Sequence, residues 1–253
     1  MTLILGHRGA RAYYAENTLL SFEQAIIQGA DGIELDIHYS KDGQIMVFHD
    51  FTLDRMCGVK GAIYEFTAEA LKKFKVQYKN QYESIPTLEE VLQLILDLQQ
   101  KYDRSFIVNV ELKAGSDFYP DIEEKALALC YDYLPKDQVI FSSFDHYALK
   151  RIKAIDHEAV TGILTASALV DPWDYVEKLS ANFYHPNYQS LTGDMMKAFS
   201  DKGIKLNPYT VNDVKTARRL IENGLNALIT DTPDVMVALN KEIQTRGPYE
   251  NSI

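Results

Sequence analysis

The sequence predicts an α/β fold in which eight strand–helix units close into a barrel. Three observations lead there. Apolar, β-branched runs alternate with amphipathic helical runs through short links, the pattern of a parallel sheet. The strand-like runs number eight, ending near His7, Asp36 or His38, Glu111, Phe141, Leu164, Tyr184, Tyr209 and Thr230, which favours closure over a doubly wound sheet. The chain has 253 residues, the usual size of a one-domain α/β barrel.

The elements follow in chain order. Leu3 to Gly9 opens as an apolar run that stops at His7-Arg8-Gly9. Asn17-Thr18 can cap a helix running to Gln28, with Gly29 as its stop. Asp31 to His38 is a strand by its period of two: Ile33, Leu35 and Ile37 share one face, and Glu34, Asp36 and His38 the other. Gln44 to Asp50 is a further apolar run, ending in His49-Asp50. Residues 54–84 break the alternation and are too long for an ordinary connection. They contain Gly58, Gly61, a helical run from Thr67 to Phe74, and the aromatics Tyr64, Phe66, Tyr78 and Tyr82, which either pack this insertion or cap a site. Thr87 caps Leu88 to Gln100, with Glu90 at the capping-box position. Phe106 to Lys113 is a strand with Val108, Val110 and Leu112 on one face and Asn109, Glu111 and Lys113 on the other. Helical runs follow at Asp121–Tyr133, Asp145–Ile155, Pro172–Leu179, Thr192–Lys202 and Asn212–Asn223. Pro233 opens the last helix, to about Asn240, and Arg246 to Ile253 reads as a loose tail. The expected organisation is one catalytic domain over 1–245, with 54–84 inserted and 246–253 as the tail.

Chemistry concentrates at strand ends, where an α/β barrel carries its active site. Two carboxylates on one strand face, Glu34 and Asp36, repel each other, and burying them unpaired costs several kcal/mol or more each. A hard divalent cation, Mg2+ or Ca2+, resolves that conflict, and Glu111 can complete an oxygen-ligand set. The plainer alternatives are a solvated acidic face and a Glu111–Lys113 surface pair. Lys113 can meet an anion bound at the ion, and Arg8 offers a planar fork suited to phosphate oxygens. His7 and His49 can take and give protons near neutral pH. His185 and Tyr209 are expected to line the mouth, and Asp50 and Glu16 to orient neighbouring His or Arg side chains. His38 is either a helper or solvent-facing, and His146 and His157 read as surface residues.

A longer pattern gathers these residues. His7-Arg8-Gly9, Glu16-Asn17-Thr18, Gly32-Ile33-Glu34-Leu35-Asp36, Asp42-Gly43 and His49-Asp50 follow at close spacing. Ile85-Pro86-Thr87, Glu111-Leu112-Lys113, Ser142-Ser143-Phe144, Tyr209-Thr210-Val211-Asn212 and Ile229-Thr230-Asp231-Thr232-Pro233-Asp234 extend it nearly end to end. The whole resembles the glycerophosphodiester phosphodiesterase family. The resemblance implies a TIM barrel with a small insertion above its mouth. It also implies cleavage of small-molecule glycerophosphodiesters to glycerol 3-phosphate and an alcohol such as choline, ethanolamine or glycerol. One divalent cation on Glu34, Asp36 and Glu111 would serve this, with His7 and His49 dividing base and acid roles and Arg8, Lys113, His185 and Tyr209 on the substrate. One departure stands out: the family commonly has Trp before Thr-Val-Asn, where this chain has Tyr209. Rival readings are a barrel phospholipase cleaving phosphoinositides or sphingomyelin, a metal-dependent sugar isomerase, and a non-catalytic protein that keeps the fold.

Composition bounds the partners. The net charge of -10 opposes non-specific nucleic-acid binding and adhesion to anionic membranes. No basic leader or long apolar span is visible, so no stable membrane insertion is expected, and a cytoplasmic location is. The two cysteines, Cys57 and Cys130, form no ligand cluster and read as reduced thiols. The pattern admits a homodimer.

Overall fold

In this computed structural model, which describes residues 1–246, the opening apolar run forms β1 (Leu3–His7). Thr18 accepts a hydrogen bond from the Ser21 amide and caps α1 (Leu19–Ile27), as its sequence position predicts. β2 (Gly32–Tyr39) runs parallel to β1, with His7 opposite Glu34. The next apolar run folds back as β3 (Ile45–Val47), antiparallel on β2, so it carries His49 beside the barrel without joining its wall.

The insertion holds α2 (Asp54–Cys57), α3 (Ala68–Lys73) and a hairpin of β4 (Lys75–Tyr78) and β5 (Gln81–Ser84). Its Ile63, Leu71 and Val76 are buried in a small core shared with Leu53, Ile85, Met46 and Phe48 of the adjoining segments. Phe66 packs edge-on against Phe74, and the Tyr78 hydroxyl donates to the Ala12 carbonyl. Tyr82 is exposed, and Tyr64 meets Phe118 at the surface.

The remaining units are regular: α4 (Leu88–Tyr102), β6 (Ile107–Leu112), α5 (Ile122–Tyr133), β7 (Val139–Ser143), α6 (His146–Ile155), β8 (Thr161–Thr165) and α7 (Pro172–Lys178). Then come β9 (Phe183–Pro186), α8 (Gly193–Asp201), β10 (Lys205–Leu206), α9 (Val214–Glu222), β11 (Ala227–Thr230) and α10 (Pro233–Arg246). Eight parallel strands form a nearly closed barrel in the order β10-β9-β8-β7-β6-β2-β1-β11. At the seam the Asn226 amide donates to the Leu206 carbonyl and the Ile229 amide to the Pro208 carbonyl, each at 3.1 Å.

Period-two alternation decides what faces where. Ile33, Leu35 and Ile37 are fully buried in one core with Phe22, Val91, Leu92 and Ile95 of the helix layer. Each such side chain contributes about 1.5–3 kcal/mol of apolar burial. Leu5, Ala227 and Ile229 pack inside the barrel. Two glycines permit the close approaches the site needs. A Cβ on Gly32 would lie 2.1 Å from the Ile107 carbonyl oxygen, so β2 and β6 can meet only around a bare backbone. Gly9 has φ of +86° and would collide with Ser21 backbone atoms if it bore a side chain.

Three boundaries differ from expectation. β10 is continuous only over Lys205–Leu206, and Tyr209, where the run was expected to end, keeps a single parallel bridge to Asn187 with its amide on the Pro186 carbonyl. α10 runs six residues past Asn240, whose side chain donates to the Thr2 carbonyl, while Ile243 continues the apolar stripe. The expected tail beginning at Arg246 is helical at that residue, and 247–253 lie outside the described residues. Cys57 and Cys130 are buried and unbonded. No helix among the described residues is long and apolar enough to cross a membrane.

Candidate active site

β2 and β6 are in register with Asp36 opposite Glu111 and Glu34 opposite Asn109, so the two acidic faces are brought together by strand pairing alone. Glu34, Asp36 and Glu111 are all buried, and one oxygen from each lies within 4.8 Å of the others. Two cations face them. The Lys113 ammonium sits 2.8 Å from Asp36 Oδ1 and 2.6 Å from Glu111 Oε1. The Arg8 guanidinium is 3.4 Å from Asp36 Oδ2 and also bonds Glu16 at 2.9 Å. Asn17 donates to Asp36 Oδ2 at 2.8 Å.

Three buried carboxylates against two cations, one of them shared with Glu16, leave negative charge uncompensated. Titration follows. Burial, then the neighbouring Asp36 and Glu111 charges, push Glu34 well above the usual carboxylate range. Burial and Asp36 push Glu111 up to about 7. At Asp36 burial works the same way, but Lys113 and Arg8 outweigh it and hold that carboxyl below its usual value. An all-oxygen, acid-rich donor set of this kind fits a hard divalent cation, which would let all three ionise together.

The turn after β1 aims two groups at this cluster. Arg8 and Gly9 both have positive φ, and the Arg8 amide donates to Glu34 Oε2 at 3.0 Å. His7 lies with its Nε2 3.9 Å from Glu34 Oε2, while its Nδ1 donates to Asp231 Oδ1 at 2.6 Å. Asp231 follows β11, the strand paired with β1 at the opposite end of the chain. His49 repeats the arrangement with its neighbour, Nδ1 donating to Asp50 Oδ1 at 2.6 Å. In both pairs the carboxylate fixes the protonated nitrogen and leaves Nε2 to accept. Burial lowers the pKa of His7, opposed by the Asp231 bond; burial lowers that of His49, opposed by the Asp36 charge.

His38 is fully buried and faces no solvent. Its Nε2 donates to the His49 carbonyl at 3.1 Å, and its Nδ1 accepts from the Tyr119 hydroxyl at 2.8 Å. It therefore fixes the backbone that carries His49. Glu16 takes bonds from Arg8, Arg11 and Arg55, which together outweigh burial and bring its pKa down to about 2.

A small cavity of about 20 Å³ opens on the cluster, lined by His7, Glu34, Asn109, Glu111, Leu164, Tyr209 and Ile229. Tyr209 spends its hydroxyl on the Thr165 carbonyl and so presents its ring. His185 is not among these lining side chains. It is fully buried, accepts at Nε2 from the Asn207 amide at 2.9 Å, and burial alone lowers its pKa to about 3. His146 is not a free surface residue: its ring bonds Tyr175 and the Leu164 carbonyl. His157 is exposed. Sequence reasoning gave no role to Asp231, Arg11 or Arg55; Asp231 sits in the Thr-Asp-Thr-Pro stretch, where an acid before a helix has an ordinary capping explanation.

Comparison with known proteins agrees with this geometry. Residues 7–235 match the model of the glycerophosphoryl diester phosphodiesterase family. A glycerophosphodiester phosphodiesterase of Caldanaerobacter subterraneus subsp. tengcongensis is 38% identical over 242 residues, covering 94% of this chain and 97% of the relative. One from Bacillus altitudinis is 34% identical, covering 96% of this chain and 100% of the relative. Among solved structures, an Oleispira antarctica phosphodiesterase in complex with the product sn-glycerol-3-phosphate superimposes with a TM-score of 0.86 at 27% identity, covering 95% and 97% of the two chains. The glycerophosphodiester phosphodiesterase of Thermotoga maritima gives 0.75 at 31% identity, covering 94% and 98%.

Proposed function

The chain belongs to the glycerophosphoryl diester phosphodiesterase family, and we propose that it hydrolyses glycerophosphodiesters to sn-glycerol 3-phosphate and an alcohol using one divalent cation and two histidines. The observation that carries this reading is the convergence of Glu34, Asp36 and Glu111 beside Arg8, Lys113 and a carboxylate-bound His7. Glu34, Asp36 and Glu111 would hold Mg2+ or Ca2+, whose charge would offset that of the phosphodiester and lower the pKa of a nearby hydroxyl.

The chain's own groups do the rest. Arg8 and Lys113 hold non-bridging phosphate oxygens and share their charge. One imidazole takes a proton at Nε2 from the attacking hydroxyl, of water or of the glycerol 2-position. The other gives its Nε2 proton to the departing alkoxide oxygen. Asp231 and Asp50 hold the Nδ1 proton of both rings, so the base is the neutral ring with a free Nε2 and the acid is the imidazolium, protonated on both nitrogens beside its carboxylate. The Tyr209 ring walls the cavity on the glycerol side. Residues 1–245 act as a single catalytic domain, and two buried free thiols accord with a reducing, cytoplasmic setting.

One observation favours a second reading. Phe51, Tyr64 and Phe118 form an edge-to-face chain beside His38 and are each more than 40% exposed, a rim suited to an acyl-bearing diester of the phospholipase type. A single panel separates the two. Release of glycerol 3-phosphate from glycerophosphocholine, glycerophosphoethanolamine and glycerophosphoglycerol supports the first. Turnover confined to phosphoinositides or sphingomyelin in vesicles supports the second, and cleavage of none of these diesters sinks both.

A further inference from the structure

The two candidate acid/base histidines are joined by an unbroken run of ion pairs. His7 bonds Asp231 at 2.6 Å, and Asp231 meets Arg11 Nη1 at 3.5 Å. Arg11 Nε donates to Glu16 Oε2 at 2.9 Å. Arg55 Nη2 donates to Glu16 Oε1 at 2.6 Å, and Arg55 Nε donates to Asp50 Oδ2 at 2.6 Å. Asp50 closes the run on His49 at 2.6 Å. Glu16 is buried at its centre and also carries Arg8.

Arg55 is the link that the barrel does not supply. It lies on α2, within the insertion, and its fork spans two carboxylates from two different loops of the barrel face. Cutting it would free Asp50 to turn away from His49, while leaving Glu16 with Arg8 and Arg11. We propose that Arg55 is a positioning residue for the phosphodiesterase reaction, through which the insertion fixes the His49–Asp50 pair against Glu16. The insertion is thereby part of the catalytic apparatus and not only a cover. This rests on the functional reading above.

The test is steady-state kinetics of Arg55→Ala and Arg55→Lys on a glycerophosphodiester that the wild-type enzyme turns over. Arg55→Ala should lower kcat by about tenfold to a hundredfold with little change in KM, because Arg55 does not line the cavity that opens on the acidic cluster. Arg55→Lys keeps the charge but not the fork, and should fall between. Arg55, Arg11, Glu16 and Asp231 line one open cleft, so added methylguanidinium should restore part of the Arg55→Ala rate. In an Asp50→Asn background, Arg55→Ala should cost little more, since both act through His49. Lys73→Ala, at an exposed insertion residue paired with Glu69, should leave kcat unchanged. Wild-type kcat in Arg55→Ala overturns the proposal, as does a loss that adds fully to Asp50→Asn and resists methylguanidinium. If Arg55→Ala does not fold, Arg55→Lys decides: wild-type kcat there, with the fork gone, is equally contrary. A wild-type enzyme that cleaves no diester removes the functional reading itself, and that outcome is distinct from normal wild-type turnover with an indifferent Arg55.

Discussion

The Asp231 carboxylate accepts the Nδ1 proton of His7 at 2.6 Å, although 224 residues separate them in the chain. Closure of the barrel makes the pair: β1 and β11 are adjacent strands, with Gly6 opposite Thr230. The bond fixes which imidazole nitrogen faces the acidic cluster, and Asn212 holds the other Asp231 oxygen at 2.7 Å.

Asp231→Asn should therefore lower kcat by about tenfold to a hundredfold, since the amide can donate to Nδ1 and favour the wrong tautomer. His7→Ala should lose about a hundredfold or more. The double variant should be little worse than His7→Ala alone. Product release by each variant checks this, and additive losses would detach Asp231 from His7.

Glu16 should make the fold acid-sensitive. Its pKa is about 2 in the folded protein against 4.5 for the ordinary carboxyl, so the unfolded chain takes up the proton first as pH falls. The stabilisation is complete above about 4.5 and is lost progressively as pH falls toward 2. The shift corresponds to about 3 kcal/mol at neutral pH. Denaturant unfolding of wild type and Glu16→Gln at pH 7 and pH 3 checks the sign. The variant should be the less stable at pH 7, with the gap narrowing at pH 3; a gap independent of pH would contradict the assignment.

Gly32→Ala should destabilise the protein by about 1–3 kcal/mol, because the new methyl meets the Ile107 carbonyl oxygen and must force β2 from β6. The same movement separates Asp36 from Glu111, so activity should fall further than stability alone explains. Thermal unfolding together with turnover at a temperature where the variant remains folded measures both.

Much of this was legible in the sequence because strand periodicity is local. The alternation around Glu34 and Asp36 and around Glu111 placed three acids on the strand faces opposite the apolar ones, and the caps at Thr18 and Thr87 fixed helix starts to within a residue. What was not legible depends on distance along the chain or on depth. Asp231 needs barrel closure to reach His7. Arg11 and Arg55 carry no local signal of their role, because the Glu16 that joins them is buried only once the chain is folded. His185 was placed at a strand end correctly, but strand position does not say whether a ring reaches the cavity or stops at Asn207 beneath it. The aromatic rim at Phe51, Tyr64 and Phe118 is assembled from three separate loops and left no periodic trace.

The most direct measurement is a titration of chelator-treated protein with Mg2+ and with Ca2+, following ion binding by calorimetry and glycerol 3-phosphate release in parallel. One ion should bind per chain, turnover should return in step with occupancy, and Glu34→Gln should weaken both by about tenfold or more. Full turnover in excess chelator, or unchanged ion affinity in Glu34→Gln, would contradict a cation held between Glu34, Asp36 and Glu111.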